Sequence, residues 1–297
     1  MIRAENLRKQ YDRLVAVDGL SFHVDRGEIF GLLGPNGAGK TTTINMLVGI
    51  LKPDGGSVSI NGADDPTRAN VRQSIGYAPQ SIAIYDRLTA SENLEFFGKL
   101  YGITSRRSRE RIAWALEFGG LQDTGKKLAG AFSGGMKRRL NLAAALIHDP
   151  PILMLDEPTV GVDPQSRNLI FDGIEDLKRQ GKTIIYTTHY MEEAQRLCDR
   201  VAIIDHGKIL ALDGVESLIR GHGGSSVIEA ELERVPDDTS HLPGTLDGRR
   251  LRIVTPRPLE ELAALGRLNL QFAELRIDRP NLETVFLNLT GRSLRDL

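Results

Sequence analysis

The 297-residue chain is long enough for one large domain and a small one, and its 40% hydrophobic and 26% charged residues are ordinary for a folded globular protein. A formal net charge of −1 supplies no field for holding nucleic-acid phosphates, no apolar run approaches a membrane span, and the polar start MIRAENLRKQ is unlike a secretory signal. The lone Cys198 excludes an internal disulfide and fits a reducing cytosol.

In chain order, Ile2 to Lys9 and Leu20 to Val24 alternate loosely and predict strands, with Asp18-Gly19 as a turn signal between strand candidates. Tyr11 falls in a polar break after the first, a position that suits an amphipathic aromatic at a strand end. The apolar run from Ile29 to Leu33 reads as a buried strand. It leads directly into GPNGAGKTT, which satisfies G-x-x-x-x-G-K-[ST] with Gly34, Gly39, Lys40 and Thr41, and then into a helix start at Thr43 to Val48. Strand, glycine loop and helix start form the context of a phosphate site. Gly34, Gly37 and Gly39 take backbone angles closed to other residues, and successive N–H groups and the helix N-terminus then face an anion. The loop Gly34, Pro35, Asn36, Gly37, Ala38, Gly39, Lys40, Thr41 and Thr42 is therefore the expected nucleotide cradle. Lys40 would reach the β- and γ-phosphates, and the Thr41 hydroxyl would bind Mg²⁺.

Turn chemistry at Lys52 to Gly56 precedes a brief strand at Ser57 to Ile60, and Ile75 to Ala78 is another, closed by Pro79-Gln80. From Thr89 to Ala145 the pattern is helical. Thr89-Ala90-Ser91-Glu92 fits a capping box, Arg106 to Leu116 carries a solvated charged face, and Phe132 to Lys137 opens a helix with the stripe Leu140, Ala143, Ala144 and Ile147. This block predicts a helical subdomain at about 85–147, standing off the main sheet. Strands at Ile152 to Leu155, Thr183 to Tyr186 and Val201 to Ile204 then alternate with helices at Arg167 to Leu177 and Met191 to Leu197. His206-Gly207 reads as a hairpin turn into Lys208 to Ala211. The fold class is α/β, a parallel sheet with an antiparallel β part, over residues 1–220. Residues 221–226, GHGGSS, read as a flexible linker. Residues 227–297 read as a small C-terminal α+β domain without assignable chemistry.

Ligands gather at the carboxyl ends of strands in parallel α/β sheets. There the Asp156-Glu157 pair follows one apolar strand and His189 follows another. An acidic residue ending such a strand, in a chain with a P-loop, is the Walker B arrangement. Asp156 would support the metal, and Glu157, one residue on, is placed to take a proton from water.

Together these segments resemble the nucleotide-binding subunit of an ATP-binding-cassette (ABC) transporter. FSGGMKR, Phe132 to Arg138, is similar to the signature LSGGQ, and ILMLDEPTVGVD resembles Walker B through the D-loop, ending at Asp163. Tyr11 matches the aromatic A-loop, Gln80 the Q-loop and His189 the switch histidine, and the resemblance covers about residues 1–220. It implies ATP and Mg²⁺ as cofactors, with Tyr11 on adenine, Gln80 near the metal, His189 at the γ-phosphate, and catalysis by Glu157 with Lys40 and His189. It further implies a head-to-tail homodimer across ATP, in which Ser133, Gly134, Gly135 and Asp163 meet the nucleotide of the partner. Phe132 and Met136 depart from the usual leucine and glutamine. The GGMKRR variant and the tail ETVFLNLTGRSLRD, Glu283 to Asp296, resemble the daunorubicin-resistance type of exporter ATPase. That likeness implies a separate ABC-2-type membrane permease and a cytoplasmic place on the inner face of the membrane, and the near-neutral charge argues against a nucleic-acid partner. The segment Ser81 to Phe97 is the expected permease dock. The alternatives are an ABC ATPase acting on DNA or ribosomes and a cassette that binds ATP without turnover; a P-loop GTPase would need an N-K-x-D motif that is absent.

Overall fold

Ile2, Ala4 and Leu7 turn inward while Arg3, Glu5 and Arg8 face solvent, so the opening segment forms strand β1 (Ile2–Tyr11). It pairs antiparallel with β2 (Leu14–Val24). The reversal sits at Asp12 and Arg13, with Asp12 at φ 50°, and not at Asp18-Gly19. The ladder passes from Leu7↔Leu20 to Arg8↔Asp18, leaving Gly19 as a bulge at φ 74° inside β2. A glycine turn and a glycine bulge use the same backbone freedom, so the dipeptide alone does not separate them.

The structure is a computed structural model that describes residues 1–63, 65–236, 239, 241–268 and 270–291. After the hairpin come β3 (Ile29–Leu33), α1 (Lys40–Leu47), β4 (Gly55–Ile60), α2 (Ala69–Gln73) and β5 (Ile75–Ala78). A run of helices follows: α3 (Ala90–Leu100), α4 (Ser105–Phe118) and α5 (Gly134–Leu146). Alternation then resumes with β6 (Ile152–Asp156), α6 (Pro164–Arg179), β7 (Thr183–Thr188), α7 (Met191–Leu197), β8 (Arg200–Asp205) and β9 (Lys208–Gly214).

Two sheets result. β2-β1-β4 is antiparallel; β5-β6-β7-β3-β8-β9 is parallel except for its final hairpin pair. Every residue of β3, β6 and β7 is buried, as a strand covered on both faces requires. In register, Leu33 pairs with Thr188 and Asp156 with Thr187. The carboxyl ends of β3, β6 and β7 are therefore level, and the loops that leave them share one edge of the sheet. The helices α3 to α5 have a core of their own, with Leu94, Leu116, Phe132, Leu140 and Ile147 among its members. The capping box forms as read: Thr89 accepts from the Glu92 N–H, and Glu92 returns a bond to the Thr89 N–H at 2.8 Å.

The chain divides into two units after Gly214. Within the second, α8 (Val215–His222), β10 (Ser226–Leu232), β11 (Thr245–Asp247), β12 (Arg250–Thr255), α9 (Pro258–Gly266), β13 (Phe272–Asp278) and α10 (Leu282–Thr290) follow in order. The sheet order is β11-β12-β10-β13, all antiparallel, and α8 packs on α10. The glycine-rich stretch read as a linker thus runs from the end of α8 into β10, because Val215 and Leu218 are buried and make α8 part of this unit. β13 and α8 were not legible in the sequence. The tail read as subfamily-like lies, from residue 292, outside the described residues.

Candidate active site

The loop between β3 and α1 bends so that Gly39, at φ 103°, ends it; a Cβ there would stand 2.4 Å from the Ala16 carbonyl oxygen. Only glycine fits both the angle and the approach. Gly39 also offers α1 no side-chain cap, so the first-turn N–H groups of Lys40, Thr41 and Thr42 remain available to an anion. Asn36, Gly37, Gly39, Lys40, Thr41, Thr42, Gln80 and Glu157 line one cleft of ≈ 400 Å³, and Tyr11, Leu14 and Ala16 form its apolar side. Tyr11, the last residue of β1, is exposed there and has the Lys9 ammonium 6.0 Å from its ring centre.

At the base of the cleft Lys40 and Glu157 are both buried. Lys40 Nζ donates to the carbonyls of Gly34 (2.8 Å) and Pro35 (3.0 Å) and pairs with Glu157 Oε1 at 3.0 Å. The other Glu157 oxygen, Oε2, lies 3.3 Å from Gln80 Nε2 and 3.3 Å from His189 Nδ1. Glu157 sits at φ 47°, left-handed for a non-glycine residue, with its N–H donated to Thr187 Oγ1 at 2.9 Å. That left-handed backbone costs roughly 1–2 kcal/mol, and the carboxylate it carries meets Lys40. Three residues from three separate segments, Lys40, Gln80 and His189, therefore meet on one carboxylate.

Asp156 lies one layer deeper. Its Oδ1 accepts from the Thr187 hydroxyl at 2.6 Å, while Oδ2 is buried with no hydrogen-bond partner. Burial raises the Asp156 pKa, against the Thr187 and Thr41 hydroxyls. A buried, unsatisfied carboxylate oxygen next to a hydroxyl is costly alone and suits a hard divalent cation that is completed by phosphate oxygens and water. The residues therefore fit Mg²⁺.

The signature segment is built separately. Ser133 caps α5, its Oγ accepting from the Met136 N–H at 3.2 Å, and Ser133 and Gly134 are exposed. Asp163 caps α6, its Oδ1 accepting from the Ser166 N–H at 2.9 Å. A Cβ on Gly135 would stand 2.5 Å from Ser166 Oγ and 2.9 Å from Asp163 Oδ2, so the starts of α5 and α6 touch. None of Ser133, Gly134, Gly135 and Asp163 lines the P-loop cleft of the same chain.

The ABC transporter family pattern matches residues 17–160. Over 100% of both chains, the sequence is 44% identical to the linearmycin resistance ATP-binding protein LnrL of Bacillus subtilis. This chain belongs to the ATP-binding subunits of ABC transporters. It is also similar to the Nod factor export ATP-binding protein I of Burkholderia pseudomallei, at 44% identity over 98% of this chain and 97% of that one. Among solved structures, a dimeric bacterial ABC transporter cassette matches with a TM-score of 0.67 and 26% identity, over 72% of this chain and 98% of the cassette.

As an ABC cassette the chain binds ATP, and members of the family act as ATPases with membrane permeases. Two sets of site neighbours carry no signal in this sequence. Arg138, buried on α5, donates to the carbonyls of Pro79 (3.2 Å) and Gln80 (2.6 Å), and Asn141 adds bonds to Pro79 O and from the Ala83 N–H. Glu193, also buried, accepts from the hydroxyls of Thr159, Tyr186 and Thr188 at 2.8–2.9 Å. A basic residue after the signature and an acidic one on a helix are ordinary in sequence; only the fold shows them turned inward.

Proposed function

We propose that this chain is the ATP-hydrolysing subunit of a drug-resistance-type exporter. In this reading it works as a homodimer on a separate ABC-2-type permease, at the inner face of the cell membrane. The observation that carries the reading is the convergence of Lys40, Gln80 and His189 on the Glu157 carboxylate beneath an open P-loop cleft. The names of the relatives, which speak of resistance and export, support transport over action on DNA or ribosomes.

Tyr11 and Leu14 offer an apolar wall on which adenine stacks, and the loop amides of Asn36, Gly37, Gly39, Lys40, Thr41 and Thr42 face the phosphates. Lys40 exchanges the Gly34 and Pro35 carbonyls and Glu157 for β- and γ-phosphoryl oxygens. Glu157, released from the ammonium, orients a water and takes its proton as the oxygen attacks the γ-phosphorus and ADP leaves. His189 contacts the γ-phosphoryl group from the opposite side of the carboxylate. Thr41, Asp156 and Gln80 would hold Mg²⁺, which neutralises charge on the β- and γ-phosphoryl oxygens when bound. Exposed Ser133 and Gly134 and the start of α5 complete the site of a second copy, where a helix N-terminus stabilises the added charge.

Among the described residues no helix is long and apolar enough to cross a membrane. Transport therefore calls for a docking surface, and the segment Ser81 to Phe97 supplies one. Asn141 and Asn93 fix its backbone through bonds at Ala83 and Tyr85, while Ile82, Tyr85 and Phe96 stay exposed. The test is Mg²⁺-dependent phosphate release from ATP by the chain reconstituted with its permease, combined with cross-linking from position 85. ATP binding without phosphate release overturns the enzymatic reading, and cross-links that never reach a membrane chain overturn the dock.

A further inference from the structure

β13 is an edge strand, and among the described residues no strand pairs with its outer side. Its neighbour β10 alternates between buried and less buried residues, as a strand backed by helices should, whereas Ala273, Glu274, Leu275 and Arg276 of β13 are exposed in succession. Natural edges are usually blunted by charge of one sign, which repels a copy of itself, or by proline or a covering element. This edge instead carries charges of both signs, Glu274, Arg276 and Asp278, which an inverted copy of the strand can match. Its sequence, FAELRID, places an acid and a base symmetrically about Leu275, the middle residue of Phe272–Asp278.

We infer that β13 pairs antiparallel with β13 of a second copy about a two-fold axis at Leu275, joining two four-stranded sheets into one. An isologous pair requires that residues equidistant from the axis suit each other. Glu274 then faces the partner's Arg276, and Arg276 faces the partner's Glu274. Leu275 meets its own copy, and Ala273 meets Ile277 on the same face. The charges within the unit favour the same arrangement. Glu274 stands opposite Glu231 of β10, a like-charge pair across the ladder, and forms no ion pair among the described residues. A guanidinium from the other side relieves that repulsion. Arg276, which already bonds Asp278 of its own strand at 2.7 Å and stands opposite Glu229 in register, would turn its remaining donors to the partner's Glu274 and extend the alternation of charge across the seam. Leu275, 40% exposed, loses its water on both copies at once.

This contact lies within the C-terminal unit and needs no nucleotide, which separates it from the ATP-dependent pairing proposed above. The test is sedimentation of the full chain, freed of nucleotide, at rising concentration. The wild type should self-associate to a dimer. Glu274→Arg and Arg276→Glu each convert two attractive pairs into repulsive ones and should raise the dimer dissociation constant roughly tenfold or more. The double variant E274R/R276E should return it towards the wild-type value, which misfolding could not do. Leu275→Cys should give a covalent dimer on mild oxidation, since the native Cys198 is buried. A nucleotide-free wild type that stays monomeric at every concentration overturns the inference, and so does a double variant no better than the singles.

Discussion

Lys40 Nζ and Glu157 Oε1 stand 3.0 Å apart, with the two side chains only 3% and 4% exposed. The expected phosphate-binding cation and the expected base therefore hold each other, and one substitution affects two properties. Lys40→Ala removes the phosphate contact and leaves a buried carboxylate with only Gln80 and His189. Tight ATP binding should be lost, and stability should fall by about 2 kcal/mol. Adding Glu157→Gln to Lys40→Ala should recover most of that stability in urea unfolding but none of the affinity. Retained ATP affinity in Lys40→Ala would contradict the cradle.

Glu157→Gln alone keeps the size of the side chain and its bond from Gln80 while removing the proton acceptor. Turnover should fall roughly a hundredfold or more. ATP binding should persist, and size exclusion with ATP should show a trapped dimer. Normal phosphate release from this variant would reassign the base.

Arg138 connects the signature helix to the backbone of Gln80. A single guanidinium nitrogen, Nη1, donates to both the Pro79 and the Gln80 carbonyls. Arg138→Ala should cost about 2 kcal/mol in unfolding free energy and lower kcat more than it weakens ATP binding, because Gln80 loses its support while the loop amides are untouched. Arg138→Lys should fall between the two. If Arg138→Ala weakens ATP binding as severely as Lys40→Ala, the positioning role is wrong.

His148 supplies a pH dependence. Its ring stacks on Tyr101 at 3.6 Å and its Nε2 contacts the Ile75 carbonyl, and burial pushes its pKa down from 6.5 to about 4. A depressed folded-state value means that the unfolded chain binds the proton more readily. The associated stability is complete above pH 6.5 and is lost as the pH falls towards 4, amounting to about 3 kcal/mol at most. Denaturant unfolding between pH 7 and 4 should show this slope, and His148→Phe should flatten it. An unchanged slope in the variant would place the acid sensitivity elsewhere.

The strands ending in the P-loop and in Asp156 were legible because complete burial leaves an unbroken apolar run, and Thr89 announced its helix through the capping box. Asp18-Gly19 misled because turn and bulge share one signal. α8 was hidden by the glycines that follow it, and β13 by its exposure, which leaves no alternation to read. Within the site, Lys40, Thr41, Asp156 and Glu157 follow from local pattern alone. Tyr11, Gln80 and His189 needed a family likeness, since a residue just past a strand has no periodicity. Arg138, Thr187 and Glu193 were invisible, because their roles depend on distant partners such as Gln80, Glu157 and Thr159, which lie 58, 30 and 34 positions away respectively.

Glu193 has a mechanical consequence for His189. Thr188, on one side of the histidine, donates its hydroxyl to the Glu193 carboxylate, and the same oxygen accepts from the Tyr190 N–H on the other side at 2.9 Å. Tyr186 and Thr159 bind the same carboxylate. The main chain is thus clamped before and after the imidazole, so in the proposed role His189 would follow the coming and going of a phosphate only by rotating about its own side-chain bonds. In that role it would work as a pointer on a fixed pivot, resetting without any rearrangement of the strand that carries it.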